Sequence, residues 1–257
     1  MMPMKNILIL GGTTEARQLA GKLAARAGLS VTLSLAGRTE NPAAQGVPIR
    51  IGGFGGADGL AAYLQETITD LLIDATHPYA AQISANAAEA ARRSDVPIVA
   101  LRRPGWMPAE GDRWTLVDTV AGAVKALGSA PRHVFLALGR QEVTAFEAAP
   151  QHHYLIRSVD PVEPRLGVPD ATYLLARGPF LESDENALLR QHHIDVVVSK
   201  NSGGEATYGK IAAARALGTE VVMIRRPALP EVASAETVEA LAVMVDHLLE
   251  PAAERGV

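Results

Sequence analysis

The residues best suited to bind a ligand form a glycine turn between a short apolar run and an Ala/Leu-rich segment. The run Ile7–Leu10 leads directly into Gly11, Gly12, Thr13 and Thr14. Glycines permit the positive φ angles of a tight turn, and the N–H groups at the start of the following helix attract phosphate. This order of elements is typical of a dinucleotide-binding turn, although Thr13 stands where the usual fingerprint has its second glycine. A tight turn that binds no ligand is the alternative interpretation.

The end of the second predicted strand indicates which dinucleotide such a turn would bind. Enzymes that use NAD place an Asp or Glu there, about 20 residues after the glycines, to hold the ribose hydroxyls. This chain instead has Ser34, Arg38 and Thr39, with no acidic residue before Glu40. A guanidinium group offers several donors to a 2′-phosphate, which a carboxylate would repel. The pattern favours NADP over NAD, and a solvated Arg38 is the alternative.

The elements that position these residues follow from alternating apolar and helical patterns, which are typical of parallel α/β architecture. We predict strands at Ile7–Leu10, Val31–Leu35, Leu71–Asp74, Ile98–Leu101, Val134–Leu138, Tyr154–Arg157, Ile194–Ser199 and Val221–Ile224. We predict helices at Thr14–Arg26, Gly59–Thr67, Ala80–Arg93, Val120–Ala126, Glu142–Ala148, Glu182–Gln191, Thr207–Leu217 and Ala235–Leu249. The predicted fold is α/β, with mainly parallel sheets flanked by helices.

An internal similarity supports the division into two domains. Residues 70–104 and 195–227 both read as strand, polar loop, Ala-rich helix, strand and Arg-Arg-Pro. The Pro/Gly-rich stretches 104–108 and 128–131 break regular structure between them. We therefore predict an NADP-binding domain at 1–125 and a substrate-binding domain at 126–257. The sheet to which each boundary strand belongs is left open by the pattern.

Polar loops follow several predicted strands, and ligands of open α/β sheets bind at the carboxyl ends of their strands. These loops are residues 74–79, 138–141, 157–161 and 199–204, the last with glycines, hydroxyls and a lysine before a helix. Two arginines also follow each copy of the repeated strand, at 102–103 and 225–226. Together they predict a cationic edge suited to carboxylates or phosphates, with capping loops and solvated arginines as the alternative.

Composition excludes several other classes of protein. The 257 residues contain no cysteine, so disulfides, thiol nucleophiles and cysteine-based metal sites are excluded. A net charge of -4 disfavours nucleic-acid binding, and the apolar runs are too short for a signal peptide or a spanning helix. We predict a cytoplasmic protein that binds neither nucleic acid nor membrane. We also expect no metal site, because His152-His153 and His192-His193 are interpreted as solvated pairs.

Two further motifs are interpreted as coincidental. Residues 204–210 have the spacing of a nucleotide-triphosphate P-loop, but Ile211 replaces the Ser or Thr that would hold magnesium. No tyrosine of the chain has a lysine four residues later, so the acid–base pair of short-chain reductases is absent.

The motifs taken together resemble the precorrin-6A reductase family of cobalamin biosynthesis. The resemblance is carried by residues 7–17, by residues 74–80, and by residues 199–204 with Tyr208-Gly209-Lys210, 213–215 and 224–227. It implies two Rossmann-like domains, NADPH as hydride donor, and reduction of one C=C bond of the precorrin-6A macrocycle to give precorrin-6B. The substrate would be a tetrapyrrole rich in carboxylates, which suits the arginines and lysines at the strand ends.

The resemblance suggests roles for individual residues. NADPH would be held by Gly11, Gly12, Thr13, Thr14, Ser34, Arg38, Thr39 and Thr76. Substrate carboxylates would be held by Arg17, Arg140, Lys200, Asn201, Ser202, Gly203 and Lys210. Candidate catalytic residues and proton donors are Tyr79, His77 and Lys200, with water as a further candidate.

Two alternatives to this function stay open, along with three properties of the protein. The protein could be an NADP-dependent reductase of another anionic substrate, or a non-catalytic NADP sensor. The sequence leaves undecided whether the substrate contains cobalt, which oligomer forms, and whether the product passes to neighbouring pathway enzymes.

Overall fold

The computed structural model describes residues 4–37 and 46–249, which form two compact α/β units. The strands are β1 Lys5–Leu10, β2 Leu29–Leu35, β3 Ile49–Ile51, β4 Leu71–Asp74, β5 Ile98–Leu101, β6 Trp114–Val117, β7 His133–Ala137, β8 His153–Ser158, β9 Ala171–Leu175, β10 Val196–Lys200, β11 Glu220–Ile224 and β12 Ser234–Ala235. The helices are α1 Thr14–Ala24, α2 Gly56–Glu66, α3 Ala81–Ser94, α4 Val120–Ala126, α5 Glu182–Gln191, α6 Gly209–Leu217 and α7 Val238–Leu249. A 3-10 helix spans Val143–Ala148.

The first unit is built on a six-stranded parallel sheet in the order β12-β5-β4-β1-β2-β3. Apolar residues of α1 and α7 pack on one face of this sheet, and those of α2 and α3 pack on the other. Because both faces are covered, the central strands are almost entirely apolar, as in the buried run of β4. The order changes direction between β1 and β4, which is where ligands of such sheets bind.

The second unit repeats this plan, with a parallel sheet in the order β6-β11-β10-β7-β8-β9. Residues of α5 and α6 pack on one face around Phe135 and Val197. The 3-10 helix takes the place between β7 and β8 that α1 has between β1 and β2. The predicted fold class and internal repeat are therefore confirmed.

The units are bounded differently from the predicted domains. The first consists of the described residues up to Arg103 and from Ala228 onward, and the second of residues 104–227. Strand pairing is the physical reason, because β6 pairs with β11 and the late strand β12 pairs with β5. The first unit thus receives its last strand and helix, β12 and α7, after the chain has passed through the second sheet. The sheet to which each boundary strand belongs, which the sequence left open, is therefore settled: β6 lies in the second sheet and β12 in the first.

Candidate active site

The predicted glycine turn lies at the carboxyl end of β1, at the change in strand order. Gly11 is required for packing, because a Cβ there would lie 2.6 Å from Leu33 Cδ1. Gly12 is exposed and has a φ of +116°, with no atom within 4 Å of the position of a Cβ. The next residue begins the helix, since Thr13 Oγ1 accepts from Ala16 N at 3.1 Å and thereby caps α1. Gly12 therefore presents open backbone at a helix start.

The hydroxyl of Thr13 is already engaged within the protein. Besides capping α1, it donates to the carbonyl oxygen of Ala75 at 3.1 Å. This bond joins the glycine turn to the loop after β4. Thr13 therefore holds two loops together, its direct contact with a cofactor stays a prediction, and Thr14 beside it is exposed.

A charged pair lies beside the glycine turn. Glu15 is in the first turn of α1, where its charge would repel a bound phosphate, and its carboxylate lies 2.6 Å from Arg103 Nη1. Arg103 follows β5, so this pair joins two strand ends. A small depression at the same edge is lined by Thr13, Glu15, Ala75, Thr76, Pro78, Leu101 and Arg103.

The loop after β4 is held by a buried carboxylate. Asp74 is fully buried, and its Oδ1 accepts from the backbone N of Thr76 at 3.1 Å and from its hydroxyl at 2.6 Å. Its Oδ2 accepts from Arg102 Nη2 at 2.6 Å. Burial opposes ionisation of Asp74, but Arg102 and the hydroxyls of Ser84 and Thr76 hold its pKa below the ordinary value. The carboxylate therefore stays charged and fixes Thr76, which was predicted to bind cofactor.

The two predicted proton donors of this loop lie side by side. The rings of His77 and Tyr79 have centroids 5.7 Å apart, and His77 Nδ1 accepts from Tyr79 N at 3.3 Å. That bond leaves Nε2 of His77 as the nitrogen that can carry the proton. Both residues are partly exposed, so the loop presents an imidazole and a phenol at the edge.

The remaining predicted cofactor residues end or follow β2. Ser34 is buried within that strand, paired with Leu10, and its carbonyl oxygen accepts from Gly11 N at 2.9 Å. Leu33 and Leu35 face α1, so the alternation of a strand turns the Ser34 side chain to the opposite face. Arg38 and Thr39 lie outside the described residues.

The second unit brings its predicted residues together at the carboxyl ends of β7 and β10. Lys200, the last residue of β10, forms an ion pair of 2.5 Å with Glu142. Glu142 Oε2 also accepts from the backbone N of Gly139, at 3.2 Å, so the pair joins the two loops. Arg140 lies in the same loop and is partly exposed, as is Ser202 in the loop after β10. The sequence pattern had placed Glu142 in a helix and did not indicate this pairing.

Three of the residues predicted to hold substrate carboxylates have partners within the protein. The Asn201 side chain binds both backbone groups of Trp106, and Gly203 packs against Pro104, whose carbonyl oxygen would lie 2.1 Å from a Cβ. Lys210 is 4% exposed and donates to the carbonyl oxygen of Thr207 at 2.6 Å. The protein encloses the ammonium group of Lys210 in this structure, and direct carboxylate binding by this residue stays a prediction.

The enclosure of Lys210 changes its acidity. Burial lowers the pKa of this ammonium group to about 7, and the nearby charge of Arg157 acts in the same direction against Glu185. Arg157 and Glu185 form a buried ion pair with distances of 2.5 and 2.8 Å. The remaining predicted substrate residue, Arg17, lies in α1 of the first unit and is partly exposed.

Other expectations concern metals and membranes. Within residues 4–37 and 46–249, no three His, Asp or Glu side chains group as metal ligands do. The interpretation of His152 as solvated is wrong, because this residue is 1% exposed, whereas its neighbour His153 is exposed. No helix in the described part of the chain combines the length and apolar character needed to cross a membrane.

The fold and these loops define a two-unit, Rossmann-like α/β protein with polar loops at the carboxyl ends of the strands in both sheets. A family model described as precorrin-6x reductase CbiJ/CobK matches residues 6–247. A precorrin-6A reductase from a Sinorhizobium species is 57% identical over 251 residues, which cover 98% of this chain and 96% of the relative. A precorrin-6A reductase from Rhodobacter capsulatus is 49% identical over 255 residues, covering 99% and 100% of the two chains.

A solved structure supports the same assignment. The structure of CobK precorrin-6A reductase is 48% identical, covers 99% of this chain and is itself covered completely, with a TM-score of 0.92. The chain therefore belongs to the precorrin-6x reductase family. The resemblance noted in the sequence is confirmed.

Proposed function

We propose that the protein reduces one C=C bond of precorrin-6A to give precorrin-6B, with NADPH as hydride donor. The observation that carries this proposal is 57% identity to a precorrin-6A reductase across 98% of the chain. Identity spread over both units favours conservation of the whole activity rather than of one binding domain. A reductase of a different anionic substrate, or a sensor without activity, would be distinguished by turnover.

Residues of the first unit fit a dinucleotide. The open, positive-φ backbone of Gly12 adjoins the start of α1, where backbone N–H groups attract phosphate. The pairing of Glu15 with Arg103 removes the repulsion that the carboxylate would otherwise exert on a phosphate. Bound NADPH would supply a hydride from its nicotinamide ring. On the sequence pattern alone, Arg38 and Thr39 would face the 2′-phosphate.

The proton for the neighbouring carbon has several sources within the predicted set. His77 and Tyr79 lie in the loop that Asp74 and Thr76 hold next to the glycine turn, so they suit the nicotinamide end of the cofactor. Lys200 is the third candidate, and its ion pair with Glu142 holds its ammonium group beside the loop after β7. Hydride addition at one carbon and protonation at its neighbour together complete the reduction of the double bond.

Residues of the second unit suit the carboxylates of the substrate. Lys200 and Arg140 supply positive charge at the carboxyl ends of neighbouring strands, and Ser202 adds a hydroxyl. Transfer of the product to neighbouring pathway enzymes stays a prediction.

The cofactor assignment is tested by titrating the protein with NADPH and NADH and following cofactor fluorescence. We expect the wild type to prefer NADPH, and Arg38→Ala to weaken NADPH binding about tenfold with little effect on NADH, since it removes a charge-assisted contact. Arg92→Ala is the matched control, because Arg92 is 72% exposed on α3 and paired with Glu89. Equal binding of both cofactors by the wild type would contradict the assignment.

A further inference from the structure

The loop that ends β10 is covered by the chain segment that precedes β6. Residues 104–113 of this segment, here called the strap, lie in the second unit with the loop 200–204. The strap includes Trp106, which is 9% exposed, between the glycine and methionine of a Pro-Gly-Trp-Met-Pro sequence. The sequence pattern indicated only a break in regular structure here.

Trp106 is joined to this loop by three hydrogen bonds. Its backbone N donates to Asn201 Oδ1 at 2.7 Å, and its carbonyl oxygen accepts from Asn201 Nδ2 at 2.9 Å. Its indole Nε1 donates to the carbonyl oxygen of Gly204 at 2.9 Å. One tryptophan thus contacts the loop near both its beginning and its end.

Packing and charge hold the strap in place. Gly203 has a φ of +67° and lies so close to Pro104 that a Cβ would be 2.1 Å from its carbonyl oxygen. Arg226 Nη2 donates to the carbonyl oxygens of both Pro104 and Ser202, at 3.1 and 3.0 Å. The strap and the loop are therefore fixed against each other on two sides.

The indole ring itself rests on the start of α6. Its centroid lies 5.7 Å from that of Tyr208 and 4.9 Å from the ammonium nitrogen of Lys210. At the other end of the strap, Asp112 accepts two hydrogen bonds from Arg215, at 3.0 and 3.1 Å. Trp106 thus anchors the first part of the strap to the start of α6, and Asp112 anchors its far end to the same helix.

We propose that Trp106 is a positioning residue for substrate binding, which holds Lys200 and Ser202 in the orientation that receives substrate carboxylates. The proposal rests on the proposed function. Because the indole Nε1 bonds the carbonyl oxygen of Gly204, removing this N–H frees the end of the loop but leaves the glycine turn of the first unit intact. The effect therefore falls on the substrate KM and leaves the NADPH KM unchanged.

The test compares Trp106→Phe with Trp114→Phe in steady-state reduction of precorrin-6A. Each variant loses an indole N–H, but Trp114 Nε1 has no hydrogen-bond partner among the described residues, which makes it the matched control. We expect Trp106→Phe to raise the KM for precorrin-6A about fivefold, the size of effect that one lost hydrogen bond produces. The kcat and the NADPH KM stay near wild-type values, and Trp114→Phe changes none of the three constants.

Asn201→Ala provides a second variant should Trp106→Phe fold poorly, and it carries the same expectation. Because both act through one loop, the double variant is expected to raise the KM less than the product of the two single effects. An unchanged substrate KM in Trp106→Phe, or an equal rise in the NADPH KM, would overturn the proposal. Absence of turnover by the wild type would overturn the proposed function, and this proposal with it.

Discussion

The two units share one strand order but differ in one connection between strands. This connection joins β1 to β2 in the first unit and β7 to β8 in the second. In the first unit, Gly11 and Gly12 lead into α1, which has 11 residues. In the second, the loop after β7 leads into a 3-10 helix of 6 residues. A long α-helix presents aligned N–H groups to a phosphate, whereas a short 3-10 helix presents few. This difference supports the proposal of a dinucleotide site in the first unit and of a site for a different anion in the second.

The repeated Arg-Arg-Pro sequences show the same divergence. Arg102 N donates to the carbonyl oxygen of Ala235 and Arg225 N donates to that of Val117, both at 2.8 Å, so the two arginines occupy equivalent positions. The Arg102 guanidinium binds the buried Asp74, while that of Arg225 binds an exposed carboxylate, Asp118. A duplicated backbone thus carries a buried charge network in one copy and a surface ion pair in the other.

The largest expected difference comes from removing the two carboxylates. Asp74→Asn leaves Arg102 without its buried partner and is expected to lower the free energy of unfolding by about 3 kcal/mol. Asp118→Asn removes a surface pair and is expected to cost about 0.5 kcal/mol or less. Urea unfolding of both variants measures the difference, and equal midpoints would contradict the distinction between the two arginine sites.

Two glycines with positive φ provide the next comparison. Gly203→Ala adds both strain and a collision with the Pro104 carbonyl, so we expect a loss of about 3 kcal/mol. Gly12→Ala meets open space and adds strain alone, about 1 kcal/mol. Thermal unfolding compares the two variants. A greater loss in Gly12→Ala would show that the glycine turn, not the loop 200–204, is the more tightly packed.

A smaller effect is expected on cofactor binding from the pair beside the glycine turn. Arg103→Ala leaves the charge of Glu15 uncompensated near the proposed phosphate position and should weaken NADPH binding about fivefold. Glu15→Gln combined with Arg103→Ala should restore most of the affinity, with Glu15→Gln alone as control. Fluorescence titration measures this, and no recovery in the double variant would instead indicate direct cofactor binding by Arg103.

The last comparison concerns pH, because the lowered pKa values of Asp74 and Lys210 both make stability rise with pH, but over different pH ranges. The pKa of Asp74 is lowered, so its contribution to stability is present above its ordinary value of 3.8 and is lost as the pH falls below it. The pKa of Lys210 is lowered to about 7 from 10.5, so between these values the unfolded chain holds a proton that the folded chain has released. The free energy of unfolding therefore increases as the pH rises from 7 to 10.5, and the burial of Lys210 is most destabilising below pH 7.

The effect of Lys210 is isolated by comparing the free energy of unfolding of Lys210→Met with that of the wild type at several pH values. The wild type should gain stability relative to the variant between pH 7 and pH 9, because only the wild type carries the buried amine. A constant difference over this range would contradict a lowered pKa for Lys210.

The inner strands could be predicted from the sequence, whereas the edge strands could not. The four strands that the apolar pattern missed, β3, β6, β9 and β12, are the edges of the two sheets. An edge strand has a neighbouring strand on one side only, and its side chains are less buried. It therefore does not require the continuous apolar run of β4 or β10. The exposed Ile51 and Leu116 illustrate this. Because β6 and β12 were not predicted, the points at which the chain passes from one unit to the other were not predicted either.

The site was predictable in its loops but not in its pairings. Residue type and strand position were enough to place Gly12, Thr76 and Lys200 at carboxyl ends. The burial of Lys210 and its contact with Trp106 depend on packing between distant segments, which no local pattern encodes. For the same reason, Glu142 and Asn201 acquired partners that the sequence did not indicate.

The most direct test of the proposed function is the stoichiometry of a single anaerobic reaction with precorrin-6A and NADPH. We expect one NADPH to be oxidised for each precorrin-6A consumed, and the product mass to increase by that of two hydrogens. Binding of NADPH with no oxidation in the presence of precorrin-6A would contradict the account.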